Sequence, residues 1–299
     1  MAATRAITES RAKNPVPSKL WDYYTLTKPE VNLLILMTTS AGYYLGSQGP
    51  FRTGRLLITL AGTLLVASGT ATLNQWMERF HDGRMRRTAN RPLVSGRLSG
   101  REALWFGLSL SAAGGALLAV SVNVLSALLA IGTLLGYLLV YTPLKRKTSL
   151  CTLLGAVPGA MPTLIGWAAA AGGIERQAWL LFGILFLWQF PHFLAIALMY
   201  REDYAGAGFR MLPQFDADGK FTKAEIVLFT IVLVVVTMLP VTGPGGAIYS
   251  LIMVVAGGFF LYHTAKLAKS GSRVLASRVV HVSVIYLPVV LGTMMAWKV

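Results

Sequence analysis

The sequence has 299 residues, of which 55% are hydrophobic and only 13% are charged, and its mean hydropathy is +0.59. This composition excludes an ordinary soluble globular domain and favours a polytopic membrane protein whose domain is a helix bundle. The formal net charge of +15 does not indicate nucleic-acid binding, because topology and anionic lipid explain a basic face first and no nucleic-acid motif is present.

The apolar segments of the sequence predict membrane-spanning helices. They are about 18 to 24 residues long and lack the alternation of lipid-facing strands, which excludes a barrel. We predict nine spans, at residues 31–48, 56–78, 102–122, 124–141, 152–171, 178–200, 224–241, 247–265 and 279–297. Only residues 121–123 join the third and fourth spans, so we expect a tight turn there.

Basic residues are distributed unequally between the two sets of predicted loops. The amino-terminal tail and every second loop hold 23 of the 27 basic residues, and the opposite set holds four. Because cytoplasmic loops carry an excess of Lys and Arg, this asymmetry predicts a cytoplasmic amino terminus. We expect a flexible cytoplasmic tail at residues 1–19, one membrane domain at 20–299 and a bacterial inner-membrane location. A mitochondrial transit sequence and inner membrane are the alternative.

The end of the second span combines polar groups that are costly near a bilayer. Asn74, Glu78 and Asp82 recur every four residues, so their side chains project from one helix face. Such oxygen ligands suit Mg²⁺, which usually keeps waters and substrate phosphates in its shell. The alternative is a solvated helix end, which explains the nearby cations but not an amide at this depth. The arginines that follow are candidate phosphate ligands: Arg84, Arg86, Arg87 and Arg91.

Other polar residues flank the predicted spans. Lys28 precedes a span that begins with proline, and residues 145–147 are three cations at a helix exit. Each could be a topology anchor or a phosphate ligand. Glu202 and Asp203 are adjacent, so only one of them can face a shared cavity. His192 lies within the sixth span, where a lone histidine is more often a packed, hydrogen-bonded residue than a ligand.

The fifth span is rich in small and helix-breaking residues, which is typical of close helix packing around a cavity. The single cysteine, Cys151, excludes an intrachain disulfide and gives no metal or nucleophile signal. The residues concerned in the fifth span are Gly155, Pro158, Gly159, Pro162 and Gly166.

Several strings of this sequence, in order, resemble the intramembrane UbiA-type prenyltransferases, and within that family its haem-directed branch. The resemblance covers roughly residues 20 to 297. One feature departs from the wider family, whose second signature has two acids four residues apart, because Met199 and Ala207 stand at those distances from Asp203. The matching strings are residues 26–29, 74–93, 141–147, 155–162 with 166–167, 188–193 and 203–213.

The resemblance implies an all-α, nine-helix transmembrane bundle with a central cavity. It implies Mg²⁺ as cofactor, farnesyl diphosphate and haem b as substrates, and haem O as product. Contacts with haem A synthase or oxidase assembly proteins are also compatible with it. His192 could then orient a haem propionate, bind the iron or simply pack. By motif, the metal ligands would be Asn74, Glu78, Asp82 and Asp203, and the residues that contact substrate would be Lys28, Arg84, Arg91, Lys145, Arg146 and His192.

Three alternatives stay open from the sequence. A prenyltransferase of an aromatic quinone precursor would have the same Mg²⁺ site but would not bind haem. A transporter would place its substrate near the midplane and often contains an internal repeat, and no clear repeat is visible here. A structural assembly factor of the respiratory chain would tolerate alanine at Asn74 and Asp82.

Overall fold

A computed structural model describes residues 18–240 and 246–298. These residues contain helices and no strand, which confirms the all-α class. Residues 1–17 of the expected tail lie outside the described ranges, and Ser18 caps the first helix by accepting from the Trp21 N–H. In chain order the helices are α1 (Lys19–Leu26), α2 (Pro29–Gly46), α3 (Thr53–Asp82), α4 (Gly100–Ser121), α5 (Val124–Leu144), α6 (Cys151–Ala171), α7 (Arg176–Met199), α8 (Arg201–Gly206), α9 (Lys220–Thr237), α10 (Gly246–Ser270) and α11 (Arg273–Trp297).

Among the described helices, seven are long and apolar enough to cross a membrane: α3, α4, α5, α6, α7, α10 and α11. The predicted count of nine is therefore not confirmed. Helix α2 carries Glu30 and Asn32 near its start, and α9 begins with Lys220, Lys223 and Glu225. The polar start of α2 and the three charges of α9 keep both helices out of this set, although both pack within the bundle.

Glycines allow two helix pairs to approach closely. Helix α3 packs along α4, and α2 packs along α6. A Cβ atom added to Gly42 would lie 2.1 Å from the carbonyl oxygen of Thr163, and one added to Gly166 would lie 2.0 Å from that of Thr39. These contacts confirm the close packing predicted for the fifth span. They hold the second half of α2 against α6.

The turn between α4 and α5 is as short as the sequence predicts. Helix α4 ends at Ser121 and α5 begins at Val124. The Asn123 side chain caps α5 by accepting from the Ser126 N–H at 2.7 Å, and its amide donates to the Ala168 carbonyl at 2.8 Å. The turn is thus joined to the end of α6.

Candidate metal and diphosphate site

Three candidate metal ligands lie together at the end of α3. This helix has 30 residues and continues to Asp82, four residues beyond the predicted span. Asn74, Glu78 and Asp82 are all buried, with 1%, 7% and 1% of their surfaces exposed. The Asn74 amide donates to Glu78 Oε2 at 3.1 Å, one turn further along. The helix therefore presents an amide and two carboxylates on one buried face.

Each buried carboxylate is paired with a cation from a different part of the chain. Lys145 Nζ lies 3.1 Å from Glu78 Oε1 and 3.2 Å from Oε2. Arg91 Nη1 lies 2.5 Å from Asp82 Oδ2. Because a buried charge without a partner is strongly unfavourable, these pairs stabilise the carboxylates in this environment. The two cations are among the predicted diphosphate ligands.

Lys28 joins this cluster from the turn between α1 and α2. Its backbone is left-handed, with φ of 52°. Burial, together with the nearby Arg91 and Lys145, lowers the pKa of Lys28 to about 7, whereas Glu78 and Asp82 act in the opposite direction. An anion bound nearby would favour the charged form of Lys28, so its environment agrees with the phosphate contact that the sequence leaves open.

Two amides that sequence reasoning missed hold the turn that carries Lys28. Gln75 Nε2 donates to the Leu26 carbonyl at 2.8 Å. Asn32 Nδ2 donates to the Thr27 carbonyl and to Ser68 Oγ, both at 2.9 Å. Both amides are buried in helices of the bundle. The signal that could have found them is the same as for Asn74, namely an amide at membrane depth.

The segment that follows α7 covers the site from another direction. Ala207 and Phe209 pack with Met85 from the loop after α3. The Arg210 N–H donates to the Lys145 carbonyl at 2.8 Å. Asp203, on α8, is half-buried and forms no ion pair within residues 18–240 and 246–298, and its neighbour Glu202 is exposed.

A rare helical form precedes Lys145. Residues Gly136–Tyr141 of α5 are π-helical, and such segments frequently occur at functional sites. The Tyr137 and Tyr141 rings are 4.9 Å apart, and Lys145 Nζ lies 4.6 Å from the centre of the Tyr141 ring. The segment therefore places aromatic faces beside the ion pairs.

With this geometry established, comparison with known proteins identifies the family. The model of the UbiA prenyltransferase family matches residues 35–286. The chain belongs to the UbiA prenyltransferase family. It is 49% identical to a protoheme IX farnesyltransferase of Solibacter usitatus, covering 92% of this chain and 97% of the relative. It is 43% identical to one of Salinibacter ruber, covering 90% of this chain and 95% of that relative.

Solved structures confirm the UbiA fold. A structure described as a digeranylgeranylglyceryl phosphate synthase has a TM-score of 0.75 at 19% identity and covers 94% of this chain and 99% of its own. A UbiA homologue from Archaeoglobus fulgidus bound to GPP and Mg²⁺ has a TM-score of 0.65 at 13% identity, covering 91% and 99%. At these identities the likeness supports the helical architecture alone.

Not every predicted site residue of this UbiA-family chain joins the cluster. Arg84 is exposed and forms no ion pair with any residue of the described ranges. Arg146 is also exposed, and its Nη1 lies 3.3 Å from His81 Nε2. His192 lies on α7, where Nδ1 is 2.8 Å from Ser283 Oγ of α11 and the ring stacks on Trp188 at 4.7 Å. These three remain candidates for substrate contacts.

The donor set fits a divalent cation that prefers oxygen ligands. Asn74, Glu78 and Asp82 supply one amide and two carboxylates from consecutive turns. Among residues 18–240 and 246–298, no group of three or more His, Cys, Asp and Glu side chains is arranged around a metal-sized position. The amide is not one of those types, and both carboxylates are turned towards Lys145 and Arg91. A cation would therefore compete with these two side chains.

Proposed function

We propose that this protein is an Mg²⁺-dependent protohaem IX farnesyltransferase. It transfers the farnesyl group of farnesyl diphosphate to a vinyl group of haem b and releases diphosphate, giving haem O. The observation that carries the proposal is the buried face of α3, whose carboxylates are held by Lys145 and Arg91. The relatives named as protoheme IX farnesyltransferases support haem as the acceptor.

The ion pairs explain how the site accommodates a charged substrate. In the free protein, Glu78 and Asp82 neutralise Lys145 and Arg91. With a metal diphosphate bound, Glu78 and Asp82 would hold the cation, and Lys145 and Arg91 would bind the phosphate oxygens. The exchange leaves no buried charge without a partner, so binding avoids the desolvation penalty of an unpaired group. Lys28 and the exposed Arg84 and Arg146 add further positive charge on the same side.

Mg²⁺ would be held by Asn74, Glu78 and Asp82, with Asp203 on the opposite side. When bound, it would neutralise charge that develops on the departing diphosphate. Lys145 and Arg91 would act in the same direction, because their positive charges would stabilise the negative charge on the phosphate oxygens. No side-chain nucleophile is required.

The reaction balances with water as the third reactant. The C–O bond of the allylic diphosphate breaks, and the electron pair leaves with the diphosphate. The haem vinyl group attacks the farnesyl carbon, water adds to the resulting cation, and one proton is released. With Lys145 bound to the diphosphate, the Tyr137 and Tyr141 rings would stabilise the allylic cation, since cations bind to aromatic faces.

We place haem b beside His192. The ring nitrogen Nδ1 is engaged with Ser283 Oγ, which leaves Nε2 as the atom available to a haem propionate or to the iron. Trp188 fixes the plane of the imidazole by stacking and donates its own N–H to the Ser283 carbonyl at 2.7 Å. His192 therefore orients the acceptor and does not take part in bond formation.

The membrane topology follows from the charge asymmetry of the sequence. We propose a bacterial inner-membrane protein with a cytoplasmic amino terminus, so that diphosphate binds from the cytoplasmic side. Contacts with haem A synthase or with oxidase assembly proteins are proposed on functional grounds, because haem O is then passed to a further enzyme.

The decisive experiment is to incubate the purified protein with haem b, farnesyl diphosphate and Mg²⁺ and to measure haem O by mass spectrometry. We expect product with the wild type, loss of product with Asp82→Ala, and normal product with Asp218→Ala, whose side chain is 68% exposed. A chelator should abolish the reaction and added Mg²⁺ should restore it. The proposal is wrong if the wild type farnesylates only 4-hydroxybenzoate, or if Asp82→Ala matches the wild type.

A further inference from the structure

Thr142 is buried beside the candidate metal ligands, at the point where the π-helical part of α5 ends. Its side chain is next to Asn74, and 2% of its surface is exposed. Asn74 Nδ2 donates to Thr142 Oγ1 at 3.2 Å, across 68 residues of sequence. No ligand role follows from this contact by itself, because the hydroxyl faces the amide. The contact does, however, control which end of the amide faces the site.

The direction of the hydrogen bonds follows from proton counting. Thr142 has one hydroxyl proton, and it donates that proton to the Tyr137 carbonyl at 2.8 Å. The same carbonyl accepts the Thr142 backbone N–H, as the π-helical geometry requires. With its proton engaged, Thr142 Oγ1 can only accept a hydrogen bond. Asn74 must therefore present its NH₂ group, and not its oxygen, to Thr142.

The second neighbour of the amide imposes the same orientation. Asn74 Nδ2 also donates to Glu78 Oε2, and Glu78 accepts from Lys145 as well. A carboxylate has only acceptor positions, and each oxygen has more than one of them. Both hydrogens of the amide are thus used by acceptors, and Glu78 still has lone pairs for another ligand. The amide oxygen of Asn74 is the atom left to bind a cation.

We propose that Thr142 is a positioning residue that, through the relay from the Tyr137 carbonyl to the Asn74 amide, fixes Asn74 Oδ1 as a ligand of the divalent cation. The inference rests on the proposed function, since it assumes a metal at the end of α3. In the π-helical geometry the hydroxyl and the backbone N–H of Thr142 both donate to the Tyr137 carbonyl, five residues earlier. Partners that orient a metal ligand typically change metal affinity about 10- to 100-fold when they are removed.

The test is the binding of Mn²⁺ to the full-length protein in detergent with inorganic diphosphate present, measured by electron paramagnetic resonance. Mn²⁺ replaces Mg²⁺ because both prefer octahedral oxygen ligands. Thr142→Val removes the hydroxyl and keeps the shape, and we expect the Kd to rise at least about tenfold. Thr142→Ser keeps the hydroxyl and should bind like the wild type. Thr142→Ala serves as a second deletion if the valine variant does not fold.

A matched control separates positioning from packing. Thr230 is fully buried on α9, and its hydroxyl donates to the Ile226 carbonyl of its own helix at 2.6 Å. Thr230→Val should therefore leave the Mn²⁺ affinity unchanged. In an Asn74→Ala background, Thr142→Val should have no further effect, because Thr142 acts through the Asn74 amide.

The outcomes distinguish an error in the role of Thr142 from an error in the proposed metal site. If the wild type does not bind Mn²⁺, the metal site itself is wrong and the role of Thr142 is lost with it. If the wild type binds and Thr142→Val binds equally well, only the inference is wrong. Equal losses in Thr142→Val and Thr230→Val, or an undiminished effect of Thr142→Val in the Asn74→Ala background, would also overturn it.

Discussion

Two glycine-to-alanine substitutions, one in the close crossing of α2 and α6 and one outside it, should affect thermal stability differently. At Gly166, an added Cβ would lie 2.0 Å from the Thr39 carbonyl oxygen, about 1.4 Å less than an ordinary van der Waals contact of 3.4 Å. The obstructing atom belongs to the backbone and cannot rotate away. The two helices must therefore separate for Gly166→Ala to fold.

Overpacking of this kind costs about 1 to 3 kcal/mol. Since about 1 kcal/mol shifts Tm by roughly 2–4 °C in a chain of 150–250 residues, we expect Gly166→Ala to lower Tm by several degrees. At Gly183, in contrast, no heavy atom lies within 4 Å of an added Cβ. Gly183→Ala should leave Tm unchanged or raise it, because alanine favours a helix over glycine by about 1 kcal/mol.

The assay is thermal unfolding of both variants in the same detergent. Gly42→Ala provides a further check, since its Cβ would meet the Thr163 carbonyl oxygen at 2.1 Å in the same crossing. Once the helices have separated for one substitution, the second should cost less, so the double variant should lose less than the sum of the two. Equal Tm values for Gly166→Ala and Gly183→Ala would refute the argument.

Two other predictions concern the site, and one concerns the loop after α3. In the haem O assay, Lys145→Met should raise the KM for farnesyl diphosphate at least about tenfold, because charged hydrogen bonds contribute about 1.5–3 kcal/mol. As a control, substitution of the exposed Lys147 by Met should leave this KM unchanged. Asp22→Asn should speed tryptic cleavage after Arg97. The buried Asp22 accepts from Arg97 Nε at 2.8 Å, and this ion pair anchors the loop after α3 to α1. Cleavage at the wild-type rate would contradict this prediction. His192→Ala should raise the KM for haem b but not for farnesyl diphosphate, and an equal effect on both substrates would assign His192 to packing.

Local spacing was sufficient to predict which face of α3 carries the candidate metal ligands. Asn74, Glu78 and Asp82 are four residues apart, and α-helical geometry alone places them on one face. The fifth span was equally accessible, because small residues in an apolar segment predict a close crossing. Both inferences depend only on neighbours within one helix, and the structure confirms the buried face and the crossing.

Contacts between distant segments could not be predicted in this way. Arg84 and Arg91 are equivalent in the sequence, yet Arg91 pairs with Asp82 whereas Arg84 points to solvent. Lys28 could be an anchor or a ligand by position alone, and only folding places it among Arg91 and Lys145. The choice depends on how the loop after α3 turns, which spacing does not determine.

The sequence by itself determined the membrane environment, the helical class, the family and the residue types of a candidate metal diphosphate site, because these follow from composition, periodicity and ordered motifs. Only the tertiary structure decided which side chains of the candidate site contact one another. Glu78 meets Lys145 across 67 residues, and Asn74 meets Thr142 across 68. Such pairs depend on how separate helices pack and where a π-helical segment shifts the register, so they arise only when the whole bundle is assembled.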